Sequence, residues 1–382
     1  MVESLFAFSV LFLLCFLHPF VTYPVSLLVM RLCRGKARIV PSSASRGESI
    51  AVCVCAFNEE YVIEATMRNL LSLRHSVPRL EILAYVDAAT DRTADLLRRY
   101  ADQIKLHISP ERRGKTHGMN LLVKMTEASV VVFTDANVML DSAALSNLQA
   151  YFADPHVGCV CGHLIHTNSG ESAIAAIGAL YWRLEEGIKQ LESDTGSVIG
   201  AHGSIFAVRR SLRRPVPDDL IDDLHVSLSM LCDGYRVVHA PDVRAYERAL
   251  TMSSDEYNRK MRIACQAFNV HRLLWQRLRY LDAVSLYKYL SHKLLRWLSM
   301  YTLSLGMTCF VGGLILGRLS FLAFFLVGLG TITLYLGSRR RLGFASCLWG
   351  VFSALVATAV GVSLSLRGER FQTWTPSARI EK

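Results

Sequence analysis

Val130-Val131-Val132-Phe133-Thr134-Asp135-Ala136-Asn137 is the stretch whose reading decides the fold. Its four leading apolar residues predict a buried strand of a parallel sheet. In open α/β sheets, ligands bind outside the carboxyl ends of the strands. Asp135 and Asn137 stand at such an end two residues apart, so in an extended turn both oxygens point the same way. A carboxylate plus an amide oxygen suits a hard divalent cation, which usually also holds substrate phosphates. The same residues also read as an N-cap for the helix that follows. The tetrapeptide alone does not choose between the two.

The sequence before it repeats the pattern. Residues 49–56 (SIAVCVCA) predict a strand ending at Phe57-Asn58-Glu59-Glu60, with a helix over 61–73. A second strand over 80–86 ends in Asp87-Ala88-Ala89-Thr90-Asp91 and precedes a helix over 92–100. A third over 104–108 leads to Arg112-Arg113-Gly114-Lys115 and a helix over 116–125. Strand–helix alternation at this spacing predicts an α/β domain with a mostly parallel sheet and right-handed crossovers.

Every polar cluster therefore falls at a strand's carboxyl end, where one ligand can touch them all. Asn58 and Glu59 suit a base or ribose edge, and Asp87 adds an acceptor. Arg112, Arg113 and Lys115 supply positive charge for a diphosphate, while Asp135 and Asn137 suit the metal bridging it. Any one cluster taken alone reads as a surface turn. Four in series point to a nucleotide diphosphate.

Further along, Gly200-Ala201-His202-Gly203-Ser204 precedes the apolar run 205–208. Asp218, Asp219, Asp222 and Asp223 then precede an apolar helical run over 226–231. Paired carboxylates at a helix start are favoured by the helix dipole. They also suit a general base, because an alcohol is a poor nucleophile at neutral pH and a positioned base contributes ~10²–10⁴-fold. Residues 255–267 predict a basic helix carrying Arg259, Lys260 and Arg262, which also reads as a solvated face.

The 382 residues are 52% hydrophobic, with mean hydropathy +0.29, too apolar for an ordinary soluble enzyme. Residues 5–30 are almost free of charge, and 298–317, 319–337 and 342–366 each approach the ~20 residues that cross a bilayer. A signal peptide is disfavoured by the length of the first stretch and by the absence of a basic residue before it. Arg31, Arg34, Lys36 and Arg38 after it fit an anchor with its basic side in the cytoplasm. Arg339, Arg340 and Arg341 fall on that same side after two further crossings. Anionic lipid headgroups explain much of the net charge of +10, so nucleic acid is not the expected partner. Cys53/Cys55 and Cys159/Cys161 lack zinc spacing and read as small buried hydrophobes, and His163 and His166 as structural residues.

The order of motifs resembles the membrane-bound family 2 glycosyltransferases, which include cellulose, chitin, hyaluronan and poly-N-acetylglucosamine synthases. Residues 56–60 resemble that family's first nucleotide-contact loop, and Asp87 in VDAATD its uridine-contacting Asp. Gly114-Lys115 with Asn120 resembles the segment whose Lys meets the diphosphate. Asp135-Ala136-Asn137 takes the place of the D-x-D metal motif, with Asn where Asp is usual. Asp222-Asp223 matches the E-D pair whose second acid is the catalytic base. Tyr235-Arg236 through Ala240-Pro241-Asp242, with Glu247, falls where such enzymes have a GYR…PD…E run. The Q-x-x-R-W of processive members corresponds here to Arg259-Lys260-Met261-Arg262-Ile263, and Ile263 supplies no aromatic platform. Residues 371–379 (FQTWTPSAR) resemble a Trp/Arg element near the cytoplasmic channel mouth of related synthases.

The resemblance implies a GT-A-type, Rossmann-like cytoplasmic domain with a mostly parallel sheet, plus α-helical transmembrane segments. The expected organisation is an anchor over 1–38, a glycosyltransferase domain over 46–280, an amphipathic interface helix over 281–297, three transmembrane helices over 298–366 and a tail over 367–382. In the interface helix Leu286, Leu290, Leu294 and Trp297 share one face, with Lys288, His292 and Arg296 on the flanks, and Trp297 reads as a membrane-interface anchor. Arg318 requires a loop between spans. Four crossings put both termini outside, whereas the likeness of 371–379 to a cytoplasmic element requires that one C-terminal segment does not cross; the sequence leaves both open.

The expected function is inverting transfer from a nucleotide sugar, UDP-linked, with Mg²⁺ or Mn²⁺ at Asp135 and Asn137 and Asp223 as base. Asn58, Glu59, Asp87, Lys115, Asn120, His202, Asp222, Arg259 and Arg262 form the expected substrate-binding set. The acceptor is a growing polysaccharide, or a lipid-linked acceptor receiving one sugar in exopolysaccharide or glycolipid assembly. Membrane lipids of the cell inner membrane are the expected surroundings. A transporter or non-catalytic scaffold is the rival of another class, and it leaves Lys115, Asp135 and Asp223 unexplained.

Overall fold

Two prolines shape the start of the chain. The computed structural model describes residues 1–37, 48–167, 173–248, 253–339 and 343–373. Helix α1 (Val2–Leu17) stops ahead of Pro19, and α2 (Thr22–Arg34) leaves it at a 62° bend. Proline lacks an amide hydrogen and disfavours helix in the residue before it. Pro24, in the first turn of α2, is tolerated there. The apolar stretch over 5–30 is thus a bent pair rather than one straight span. Arg38 lies outside the described residues.

Eight strands form one sheet: β1 (Ile50–Ala56), β2 (Leu80–Asp87), β3 (Lys105–Ser109), β4 (Val130–Asp135), β5 (Met139–Leu140), β6 (Val157–His166), β7 (Ile205–Arg209) and β8 (Arg236–Glu247). Their order is β3-β2-β1-β4-β7-β6-β8-β5. The β3-β2-β1-β4 half is parallel, whereas β7 runs antiparallel to both β4 and β6, so the whole sheet is mixed. The interleaved helices are α3 (Ile63–Ser72), α4 (Thr93–Arg98), α5 (Lys115–Lys124), α6 (Ala144–Tyr151), α7 (Ala173–Asp194) and α8 (Asp222–Cys232).

Strand alternation explains why β1 is buried throughout. Ile50, Val52, Val54 and Ala56 face one core with α3 and α6, while Ala51, Cys53 and Cys55 face a second with α5 and α8. Cys159 and Cys161 join that second core, and all four are free, buried thiols. Parallel register aligns Cys55 with Asp135 and Ala56 with Val86, bringing the strand-end clusters level.

After the sheet come α9 (Ser253–Leu278), α10 (Ala283–Tyr289), a π-helical turn (Leu290–Leu294), α11 (Leu295–Trp297), α12 (Ser299–Leu316), α13 (Ser320–Ser338) and α14 (Gly343–Leu366). The last three match the expected spans and are long and apolar enough to cross a membrane. Arg318 falls in the turn between α12 and α13. Helix α1 runs antiparallel along α12. A Cβ at Gly306 would meet Leu13 at 3.1 Å, and one at Gly313 would meet Phe6 at 3.1 Å. Small residues permit this close approach.

Two expectations about this region are corrected. Lys288 and His292 do not flank an interface helix, because both are buried against the catalytic domain. Lys288 Nζ donates to the carbonyl oxygens of Glu192 (2.8 Å) and Ser197 (3.3 Å). His292 bridges Glu192 (2.6 Å) and Glu185 (2.9 Å), and Arg296 donates to Glu185 at 2.5 Å. Glu192 also accepts from the Tyr23 hydroxyl of α2, so one buried acid joins α2, α7 and the π turn. Burial would push the Glu192 carboxyl up, but His292 and the Ile199 amide at 2.9 Å hold it below its ordinary value. Trp297 is likewise 9% exposed and packs on Phe268, His271 and Tyr289 rather than facing a headgroup layer.

The tail packs on the catalytic domain. The end of α14 lies on α9, where a Cβ at Gly361 would strike the Met261 carbonyl and Ala264. Beyond it Asn269 donates to the Glu369 carbonyl (3.0 Å), Arg370 pairs with Asp219 (2.6 Å), and Gln372 donates to the Arg113 carbonyl (3.0 Å). Residues 369–372 therefore contact the catalytic domain. Residues 374–379, and Arg340 and Arg341, lie outside the described residues.

Trp297→Ala removes a buried aromatic and is expected to cost ~3–5 kcal/mol. Thermal unfolding of the detergent-solubilised protein measures this. An unchanged transition would return Trp297 to the membrane interface.

Candidate active site

The site forms where β4 ends, α5 and α8 begin, and the loop before β7 passes between them. Gly114, with φ +86°, turns the chain so that α5 opens on Lys115. Lys115 Nζ donates to Asp135 Oδ1 at 2.5 Å. Gly203 faces the same point. A Cβ there would lie 3.0 Å from Asp223 Oδ2 and 3.4 Å from Lys115 Nζ. Burial would lower the Lys115 ammonium, but Asp135, then Asp222 and Asp223, outweigh it and hold the group above its ordinary value.

Asp222 and Asp223 open α8 and are both buried. Asp223 Oδ1 accepts the Leu224 amide at 2.6 Å, leaving Oδ2 toward Gly203 and Lys115. Asp222 Oδ2 has no hydrogen-bond partner among the described residues. Burial, reinforced by Asp222 and opposed by Lys115, raises the Asp223 carboxyl to about 7. A carboxylate poised there is matched to proton abstraction near neutral pH.

Asn137 has a partner that the sequence reading left out of the site. Its Nδ2 donates to Glu247 Oε1 at 2.9 Å, and Ser204 Oγ donates to Glu247 Oε2 at 3.3 Å. Glu247 ends β8, more than a hundred residues away in sequence, and the β6–β8 register sets it opposite His166. Its only sequence signal is its place in the GYR…PD…E run. Asp135, the Asn137 amide oxygen and Glu247 make an all-oxygen donor set, the kind that suits Mg²⁺ or Mn²⁺.

The donor side has a different character. Asp87 is fully buried and accepts from Arg112 Nε (3.0 Å) and from the amides of Arg113 (2.7 Å) and Gly114 (3.0 Å). It shapes the cationic loop rather than presenting a free carboxylate. Asn58, at φ +53°, accepts the Thr90 amide at 2.8 Å and so ties the first two strand-end loops together. The Glu59 amide donates to Thr93 Oγ1 at 2.8 Å. The Arg112 guanidinium lies 3.3 Å from the Phe57 ring centre.

Asn120 is drawn away from the centre. It donates to the Val216 carbonyl (2.6 Å) and accepts from Arg213 (2.9 Å) and the Val216 amide (3.1 Å), which anchors the approach to α8. His202 rests edge-to-face on Trp182 with ring centres 4.7 Å apart. Burial, with Lys189 and Arg259 nearby, holds its imidazole well below the ordinary value, so it is neutral. Arg262 donates to Gln266 (3.2 Å) and Arg259 lies 3.9 Å from Glu256, so both stay largely on α9.

Among the described residues one cluster elsewhere has metal-ligand spacing: His163, Glu186 and His239. Lys189 already neutralises Glu186 at 2.7 Å while His163 takes its other oxygen at 2.7 Å. The structural reading of His163 fits this arrangement.

Residues 47–265, more than half of the chain, match the family model described as glycosyltransferase like family 2. The poly-beta-1,6-N-acetyl-D-glucosamine synthase of Staphylococcus aureus is 27% identical over 203 residues, covering 51% of this chain and 48% of that one. An N-acetylglucosaminyltransferase of Rhizobium meliloti is 25% identical over 211 residues, covering 51% and 50%. The alignments thus span about half the length of these curated relatives. Among solved structures, the mannosyltransferase PcManGT from Pyrobaculum calidifontis, in complex with GDP-Man and Mn²⁺, superposes with TM-score 0.72 at 21% identity, over 96% of this chain and 99% of that one. That likeness shows the fold, which is the GT-A type expected.

Asn137→Asp would set two carboxylates face to face at the Glu247 contact, and like charges that close repel. The variant is expected to melt below the wild type in EDTA and to recover on adding Mn²⁺. Equal melting with and without the cation would remove the metal site from this position.

Proposed function

Because the chain belongs to glycosyltransferase family 2, we propose that it transfers a sugar from a nucleotide diphosphate donor, UDP-linked, to an acceptor hydroxyl with inversion. The carrying observation is the convergence of Asp135, Asp222 and Asp223 on Lys115, beside Gly203.

In this reading the donor lies along the carboxyl ends of β1, β2 and β4. The loop held by Asp87 presents the Arg113 and Gly114 region and Lys115 to the diphosphate. Asp135, Asn137 and Glu247 would hold Mg²⁺ or Mn²⁺, which supplies charge neutralisation for the departing diphosphate. The Lys115 ammonium adds to that stabilisation from its own side. Asp223 Oδ2 takes the acceptor's hydroxyl proton as that oxygen bonds to the anomeric carbon. The bond from that carbon to the diphosphate breaks on the opposite face, which inverts the centre. Neutral His202 packs beside the reaction without adding charge.

Two acceptors follow from the sequence. Similarity to the S. aureus poly-beta-1,6-N-acetyl-D-glucosamine synthase favours a growing polysaccharide. The packing favours a single addition to a lipid-linked acceptor: α14 covers α9 at Met261, Ala264 and Cys265, beside Ile263, where processive relatives carry an aromatic platform. Labelled nucleotide sugar distinguishes them. A ladder of products supports the polymer, and growth by one residue supports the lipid. The catalytic domain is proposed to face the cytoplasm at the inner membrane.

Asp223→Asn is expected to abolish transfer, a loss of at least ~10²-fold, while nucleotide binding survives. Near-normal turnover would sink the assignment. In the wild type the rate should climb with pH through about 7, as Asp223 loses its proton. Stability should move the opposite way. Between the ordinary value of 3.8 and about 7 the folded protein holds a proton that the unfolded chain has released, so stability falls as pH rises through that window. The Asn variant should lack that fall.

A further inference from the structure

The π-helical turn Leu290–Leu294 carries Lys293, a cation with no close counter-ion among the described residues. π turns inside helices often mark functional positions. The charged groups around this one are spent on one another. Glu185 holds His292 and Arg296, Glu186 holds Lys189 and His163, and Glu192 holds His292, Tyr23 and the Ile199 amide. Lys288 is satisfied by two carbonyl oxygens. Among the described residues Lys293 has no hydrogen-bond or ion-pair partner, and burial pulls its ammonium below the ordinary value despite the more distant Glu185 and Glu192. Lys293 is half-buried, and a cation drawn partly out of water without a counter-ion is costly. A bound anion removes that cost.

Its position is specific. Gly200 adopts φ +92°, and a Cβ there would lie 3.1 Å from Lys293 Cε, 3.4 Å from its Nζ and 2.9 Å from Leu224, the residue after the base. Three residues on, Gly203 touches Asp223 and Lys115. A three-residue step spans at most ~10 Å, so Lys293 and Asp223 flank one thin loop. On its other side the π turn runs through α11 into α12, and Ser291 meets His18 at the end of α1 at 2.9 Å. The ammonium thus stands where the catalytic domain joins the apolar helices.

We propose that Lys293 binds the phosphate of an anionic acceptor lipid, one carrying a phosphate or diphosphate beside the sugar to be extended, and so places that sugar's hydroxyl at Asp223. This rests on the glycosyl-transfer reading with a lipid-linked acceptor. The phosphate is the recognised group, the lipid tail is received by the helices, and Lys293 takes no part in the bond changes at the anomeric carbon.

The full-length protein in detergent tests this by direct binding of three probes: an isoprenyl diphosphate-linked N-acetylhexosamine, the same sugar on an uncharged isoprenyl chain, and the soluble sugar 1-phosphate. The wild type is expected to bind the charged lipid at least ~10-fold more tightly than the uncharged one, a difference of about 1.4 kcal/mol. Lys293→Met should erase that preference and Lys293→Arg should keep it. Competition by the soluble sugar phosphate assigns the affinity to the phosphate, and its failure to compete while the preference stands assigns part of it to the tail. Equal wild-type binding of the charged and uncharged lipids, or a preference that survives in Lys293→Met, overturns the proposal. Melting gives a second readout. Lys293→Met should raise the lipid-free transition by a few degrees, whereas a structural cation would lower it. Binding is read without turnover, so a charged-lipid preference in a protein that transfers no sugar rejects the glycosyl-transfer reading alone. Transfer without the preference rejects the anion site alone.

Discussion

One half-buried ammonium organises the catalytic centre. Lys115 faces the carboxylates of Asp135, Asp222 and Asp223, which sit at the end of β4 and the start of α8. Without it, three acids of like charge would be forced together in a poorly solvated pocket. With it, the ends of β4, α5 and α8 are pinned to one point, and Gly203 lets the intervening loop pass between them. The balance is incomplete by design of the geometry: Asp222 and burial still lift Asp223 far above an ordinary carboxyl. The same ammonium that holds the arrangement together is, under the proposed chemistry, the one a diphosphate would draw on.

The sequence made the strand-end row legible because a parallel sheet forces it. Apolar runs of strand length followed by polar clusters leave little choice of topology, and Lys115, Asp135 and Asp223 do converge. What it concealed was which polar atoms are spent inside the protein. Asn120 and Asp87 read as ligand contacts, yet their atoms secure the 213–218 segment and the Arg112–Gly114 loop. Local sequence carries no information about such long-range partners. Glu247 was missed as a site residue for the same reason, since only the pairing of β8 brings it to Asn137.

The joint between catalytic domain and apolar helices was misread through a related ambiguity. An amphipathic pattern tells that a helix has two faces, not which medium each one meets. Lys288 and His292 turn inward because Glu185 and Glu192 of α7 wait there, and Tyr23 of α2 shares the same acid. Charged residues beside a span therefore serve as a buried clamp instead of a headgroup contact. The clamp fixes α1 and α2 to the domain, and the docking of α14 on α9 fixes the other end.

The Asn at position 137 is where the family pattern and this chain part company, and the structure supplies a physical account. An amide cannot match a carboxylate as a ligand for a hard cation. It can, however, donate, and Asn137 uses that donor to orient Glu247. An Asp at the same position would repel Glu247 unless a cation lay between them. The negative charge beside Asn137 is that of Glu247 on β8, with Ser204 holding its second oxygen. A centre assembled from two distant strands in this way is sensitive to the β6–β8 register. The irregularity between Cys161 and His163 then has a role, because one residue more or less there would turn the Glu247 side chain to the opposite face of the sheet.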